Sequence, residues 1–311
     1  MKSGLRHMVL FLLLGLLATV SRAQEFPYAL NYVDNMFTIN PAYVGMWEKV
    51  SITSMSRKNW ISIQGTPFFQ TFSYNSPVKN ENNGIGINLQ SYTIGHERRF
   101  SITGDYAYNM RVSQTAYLRM GLRVGFMNYR NNLLDYILFP DRVPDSEFMT
   151  DVNLKYMATW GVGALLFDRD YYISLSVPKI INNSLSVTVN KYSSLPEIRN
   201  FYLAGGYVFH LVHNVKFKPA GLITFASGEV PYFDGSATVI LPNDLSVGIL
   251  LRSNGVTCLN ASYKLRNLRF GFASEYALFS DIKKYQLGTY EFYINYEFNF
   301  YKRKYVRPVY F

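Results

Sequence analysis

Tyr290-Glu291-Phe292-Tyr293-Ile294-Asn295-Tyr296-Glu297-Phe298-Asn299-Phe300 sets an aromatic ring or an isoleucine at every even position. Its odd positions carry Glu, Tyr, Asn, Glu and Asn. Successive side chains of a β-strand point to opposite faces, so one face of this segment is apolar and the other polar and charged. A soluble sandwich also alternates, but it rarely gathers five aromatics on one face. Behind an export signal, the pattern predicts one wall of an outer-membrane β-barrel.

The N-terminus supplies such a signal. Lys2 and Arg6 precede an apolar run from Met8 to Val20, and Ser21-Arg22-Ala23 offers the small residues for cleavage before Gln24. The apolar run is too short to span a bilayer, and no later run approaches the ~18 residues a membrane helix needs. Only helices and closed barrels satisfy their backbone groups in lipid, so the remaining chain is either soluble or a barrel. Aromatics at 17%, with 26 Tyr and 23 Phe, favour the barrel, which needs two interfacial girdles. Cys258 is the single cysteine, so no internal disulfide can form. The formal charge of +10 falls to +7 without Lys2, Arg6 and Arg22, a balance suited to lipopolysaccharide phosphates or acidic partners. Residues 301–311 read as a basic tail, with Lys302, Arg303 and Lys304 available to headgroups, to an acidic periplasmic partner, or to solvent.

From residue 50 to 300 the alternation predicts fourteen antiparallel strands. They lie near 50–60, 67–76, 84–93, 98–111, 115–130, 154–167, 170–177, 199–210, 214–226, 232–240, 245–252, 256–264, 268–277 and 290–300. Asn82-Asn83-Gly84, Asp168-Arg169-Asp170, Pro242-Asn243-Asp244 and Asn254-Gly255 separate them as turns. The long gaps, 131–153, 178–198 and 278–289, all follow odd-numbered strands, while gaps after even strands are short. Short periplasmic turns and long outer loops produce that parity in an even-numbered barrel. Residues 24–49 lack alternation and form a periplasmic or lumen-plugging segment.

Within that segment, Asn40-Pro41-Ala42-Tyr43-Val44-Gly45 resembles the NPAYAG-type signature of the PorP/SprF family of type IX secretion outer-membrane proteins. Arg57-Lys58-Asn59-Trp60, Gly65-Thr66-Pro67, Ser76-Pro77, Gly84-Ile85-Gly86 and Gly288-Thr289-Tyr290-Glu291 extend the likeness. Val44 and Asn59 depart from the usual Ala and Gln. The likeness leans to PorP-like members, which are required for cargo export, over SprF-like members, which serve one gliding adhesin. It implies a Bacteroidota source and, as partners, the periplasmic ring proteins PorK and PorN together with PorE. Physically, Pro41 holds Asn40 extended and Gly45 permits a tight bend, which suits a segment docked at the barrel mouth. The motif either seals the barrel or presents a surface to the ring. In the second case Asn40, Pro41, Tyr43 and Gly45, with Lys302, Arg303 and Lys304, are the partner-binding candidates.

Catalytic machinery is not suggested. His96 lies near Glu97 and Asp105 in an outside turn, His210 and His213 lack further ligands for a metal, and no glycine-rich phosphate loop precedes a helix. No cofactor is implied. By parity Asp105, Arg119, Arg123, Lys264, Arg269, Glu275, Glu291 and Glu297 face inward, either cross-linking the walls or lining a conduit. The gap 131–153 is acidic, with Asp135, Asp141, Asp145, Glu147 and Asp151. Two rival functions remain for such a chain: a solute or hydrophobic-ligand channel like a fatty-acid transporter, and a soluble exported adhesin.

Overall fold

The computed structural model describes residues 35–47, 49–78, 82–135, 150–181, 199–226, 230–277 and 287–298. The chain forms a closed barrel of fourteen antiparallel strands with no α-helix among the described residues. In chain order these are β1 (Val50–Lys58), β2 (Phe68–Pro77), β3 (Asn83–Ile94), β4 (Glu97–Arg111), β5 (Tyr117–Asn131), β6 (Val152–Phe167) and β7 (Tyr171–Val177). Then follow β8 (Asn200–Tyr207, resuming at Phe209–His210), β9 (Lys216–Ala226), β10 (Tyr232–Ile240), β11 (Leu245–Arg252), β12 (Val256–Leu265), β13 (Leu268–Ala277) and β14 (Thr289–Phe298). Each strand pairs with its sequence neighbours. The pairing of β1 with β14, from Val50 opposite Phe298 to Lys58 opposite Tyr290, closes the ring. Closure removes both sheet edges, so the backbone groups of the wall bond one another in place of water.

The alternation that predicts the fold is the alternation that orients it. On β14, Phe292, Ile294 and Tyr296 are exposed on the outer surface, while Glu291, Tyr293, Asn295 and Glu297 are buried. The same rule runs around the ring: Leu122, Val124 and Phe126 look out from β5, and Arg119 and Arg123 look in. Inward positions are dominated by small hydroxyl residues, including Ser51, Thr53, Thr71, Ser73, Ser174 and Ser262. Two inward tyrosines lie over glycines directly opposite them in register: Tyr293 over Gly271 and Tyr172 over Gly206. A side chain at either glycine would collide with the ring.

Two details differ from the sequence expectation. The β8 segment is interrupted at Val208, which is buried, with its N–H donated to the Asp170 carbonyl at 2.7 Å. On β5–β6 the register shifts between Met127 and Tyr129, a bulge that alternation alone does not reveal. β2, β4, β6, β8, β10 and β12 end at the rim of the barrel where β1 begins, and β5, β7 and β13, which precede the long connections, end at the other. Short turns mark the periplasmic end of outer-membrane barrels.

Candidate functional site: the N-terminal plug and its seat

Residues 35–46 are buried inside the barrel. Two short 3₁₀ turns, Met36–Thr38 and Pro41–Tyr43, give the segment its shape. Asn40 caps the second turn: its side-chain oxygen accepts from the Ala42 N–H at 2.8 Å, and Pro41 at the first helical position has no N–H to leave unpaired. Gly45 follows at φ 74°, a left-handed conformation that a side chain disfavours.

The signature residues are consumed by contacts within the chain. Asn40 Nδ2 donates to Ser174 Oγ at 2.7 Å on β7 and to the Ala164 carbonyl at 3.2 Å on β6. Ser176 Oγ donates to the Ile39 carbonyl at 2.9 Å. The Gly45 N–H donates to Asn75 Oδ1 on β2. Tyr43 meets Tyr172 edge to face with centroids 6.4 Å apart. Burial, and secondarily the neighbouring Tyr172 phenol, pushes the Tyr43 phenol well above its ordinary value, so it stays neutral.

Two arginines one above the other on β5 grip the plug by its backbone. Arg123 donates to the Phe37 carbonyl at 2.7 Å and the Thr38 carbonyl at 2.8 Å. It also forms a forked pair with Asp105 on β4, at 2.7 and 3.0 Å, and its guanidinium lies 5.7 Å from the Phe37 ring centre. Arg119 donates to the Val44 carbonyl. The wall offers glycines where the plug backbone comes closest. A Cβ on Gly84 would strike the Val44 carbonyl, one on Gly121 the Ala42 backbone, and one on Gly163 the Asn40 side chain. Sequence reasoning reads Gly84 as a motif and turn residue, whereas it lies within β3, and it does not single out Gly121 and Gly163. Glycine at inward positions of otherwise regular strands is the signal that could have found them.

The opposite wall is organised differently. Arg57 on β1 pairs with Glu275 on β13 at 3.3 Å, and Glu291 sits directly across from Arg57 on β14. Arg252 and Asp234 form a second forked pair at 2.8 and 3.2 Å. Near the short-turn end Glu297 accepts from Lys264 at 2.9 Å and from Lys49 at 2.8 Å, while Arg269 is half-buried opposite Asn295. Arg57 and Asp234 are additional buried charges, with Arg252 half-buried beside Asp234, and the alternation within β1, β10 and β11 contains that information. Cys258 is a free, buried thiol in register with Glu275.

The structure buries Asn40, Pro41, Tyr43 and Gly45, so contact with a partner through these residues requires the segment to leave its seat. Lys302, Arg303 and Lys304 lie outside the described residues, as do Asp141, Asp145 and Glu147 and the stretch 1–34. His96 faces Asp135 at 3.8 Å, away from the inward Asp105, and His210 pairs with Asp170 at 2.8 Å. Among the described residues no three His, Cys, Asp or Glu side chains converge to hold a metal.

A closed antiparallel barrel with an apolar outside, a polar inside and a seated plug defines an integral outer-membrane β-barrel protein. The family model described as type IX secretion system membrane protein PorP/SprF matches residues 21–296, and the chain belongs to that family. No match to a curated protein sequence emerges. Among solved structures the chain is similar to a deletion mutant of TodX, a monoaromatic hydrocarbon channel, at 10% identity and TM-score 0.48, covering 84% of this chain and 93% of that one. The KdgM porin is similar at 9% identity and TM-score 0.38, over 80% and 99% of the two chains. CdiB from Acinetobacter baumannii is similar at 8% identity and TM-score 0.38, and the chain spans 60% of its length.

Proposed function

We propose that this protein is a non-enzymatic, PorP-like component of the type IX secretion machinery, required for export of cargo proteins across the outer membrane. The family match over residues 21–296 supports the secretion role, and the likeness of the sequence motifs leans it to the PorP-like members. The periplasmic ring proteins PorK and PorN, and PorE, are the proposed partners. Contact is assigned to the short-turn end and to the basic tail with Lys302, Arg303 and Lys304. The seated plug fits a scaffold, because residues 35–46 occupy lumen that an open conduit would leave to water, while a plugged fourteen-strand barrel also fits a hydrophobic-ligand transporter.

Comparative proteomics of culture fluid from a clean deletion strain and its complemented parent tests the role. Loss of the whole set of type IX cargo is the expected result. Loss of a single adhesin instead assigns the SprF-like role, and an unchanged secretome overturns both. In planar bilayers the purified protein is expected to be silent. Steady conductance would return the solute-channel reading. Charge reversal of the basic trio is expected to weaken ring association, and intact association removes the tail from the interface.

A further inference from the structure

On the outer surface of β4, Arg98 stands directly opposite Arg130 of β5. Both are exposed, and both belong to the outward set of their strands, above Phe100 and Ile102 on β4 and Phe126 on β5. Thr93 flanks Arg98 in register on β3, and Asn153 flanks Arg130 on β6. The bulge beside Asn128 leaves Lys155 and Tyr156 exposed, with the Tyr156 N–H held by Asn128 Oδ1 at 2.8 Å. The result is a row of donors crossing four strands at the long-loop end.

Two like charges directly opposite each other on adjacent strands repel, and such pairs destabilise a sheet unless an anion sits between them. Among the described residues the nearby carboxylates are engaged elsewhere. Glu97 turns inward to Arg99 at 2.6 Å, Asp135 accepts from Asn132 at 2.9 Å, and Asp151 accepts from the Leu134 N–H at 3.1 Å. Arg130 donates only to Asn132 Oδ1, at 2.7 Å, and among the described residues neither Arg98 nor Arg130 has an acidic partner. Directly below lies an apolar surface that includes Phe100, Phe126 and Trp160, exposed by 43%, 58% and 54%. At the opposite end the same strands present Tyr108, Met110, Leu118 and Met120 and no outward cation. On the outward positions of β4 and β5, cations thus stand only at the long-loop end.

We infer that this face binds a phosphorylated lipid of the outer leaflet. Arg98 and Arg130 fork onto its phosphate, Lys155 adds a third positive charge, and the acyl chains lie on the ring surface below. Guanidinium suits the task because its planar donors match phosphate oxygens two at a time, while its stem lies along apolar surface. Basic side chains at the headgroup level select anionic lipids. The inference rests on placement in the outer membrane and not on a role in secretion.

Native mass spectrometry of the full-length protein in detergent tests it, by titration with lipid A bearing two phosphates and with the same lipid dephosphorylated. The wild type is expected to hold the phosphorylated lipid about tenfold or more tighter. The double variant Arg98→Gln/Arg130→Gln is expected to bind both lipids alike, and inorganic phosphate at matched concentration is expected to leave the lipid in place. Equal binding of both lipids by the wild type overturns the proposal. So does undiminished preference in the double variant, and displacement by inorganic phosphate reassigns the row to small anions. If the double variant does not fold, Arg98→Gln alone and the wild-type ratio of the two lipids decide. A normal lipid preference with an unchanged secretome would sink the secretion role and leave this site standing.

Discussion

The two halves of the lumen solve one problem in two ways. Both walls bury arginines and carboxylates, which is costly unless every charge is matched. The β2–β7 wall matches them with a foreign backbone: Arg123 and Arg119 spend their donors on carbonyls of Phe37, Thr38 and Val44. The wall formed by β10–β14 and β1 matches them within itself, through Arg57 with Glu275 and Arg252 with Asp234. The first arrangement makes wall and plug one structure. The second leaves a self-sufficient surface. Charge alone therefore does not mark the seat; it lies where inward arginines and inward glycines both meet the plug backbone.

Breaking the first arrangement is expected to have the largest effect. Arg123→Ala strands Asp105 and two plug carbonyls, and is expected to cost about 3–5 kcal/mol. Equilibrium unfolding in lipid vesicles reads that loss, with faster hydrogen exchange over residues 36–46. A loss below about 1 kcal/mol would mean that the grip contributes little. Gly121→Val places a side chain on the Ala42 backbone and is expected to cost about 1–3 kcal/mol, with the exchange signature confined to the plug.

Apolar replacement of whole ion pairs sharpens the contrast. Arg252→Met with Asp234→Leu is expected to be neutral within about 1 kcal/mol, because a matched pair is readily replaced by packing. Arg123→Met with Asp105→Leu still orphans the Phe37 and Thr38 carbonyls, at about 1–3 kcal/mol for each buried group left unmatched. Equal effects from the two double variants would erase the distinction between the walls. The smallest effect is expected at the rim. Lys49→Gln leaves Glu297 with Lys264, and a change of about 0–1 kcal/mol in the same unfolding experiment is expected for so exposed a partner.

Strand number, direction and facing were determined by the sequence itself. A residue in a sheet has only two sides to choose from, and the apolar set of Leu118, Met120, Leu122, Val124 and Phe126 has one environment that accepts it. The same parity places Glu291 and Glu297 inside without knowledge of any contact. What the parity could not supply is the partner of each inward charge, because partners on neighbouring strands are far apart in sequence and register selects among them. Arg57 and Glu275 meet only because β14 stands between β1 and β13.

Tertiary structure alone decided the fate of residues 35–46. Their sequence holds no period, and the Asn-Pro-Ala-Tyr signature is equally compatible with a surface motif and a buried one. The decision lies in the wall: Gly84, Gly121 and Gly163 open the space, and Arg119 and Arg123 supply the donors that the irregular plug backbone needs away from water. Those residues become a single site only when the barrel closes.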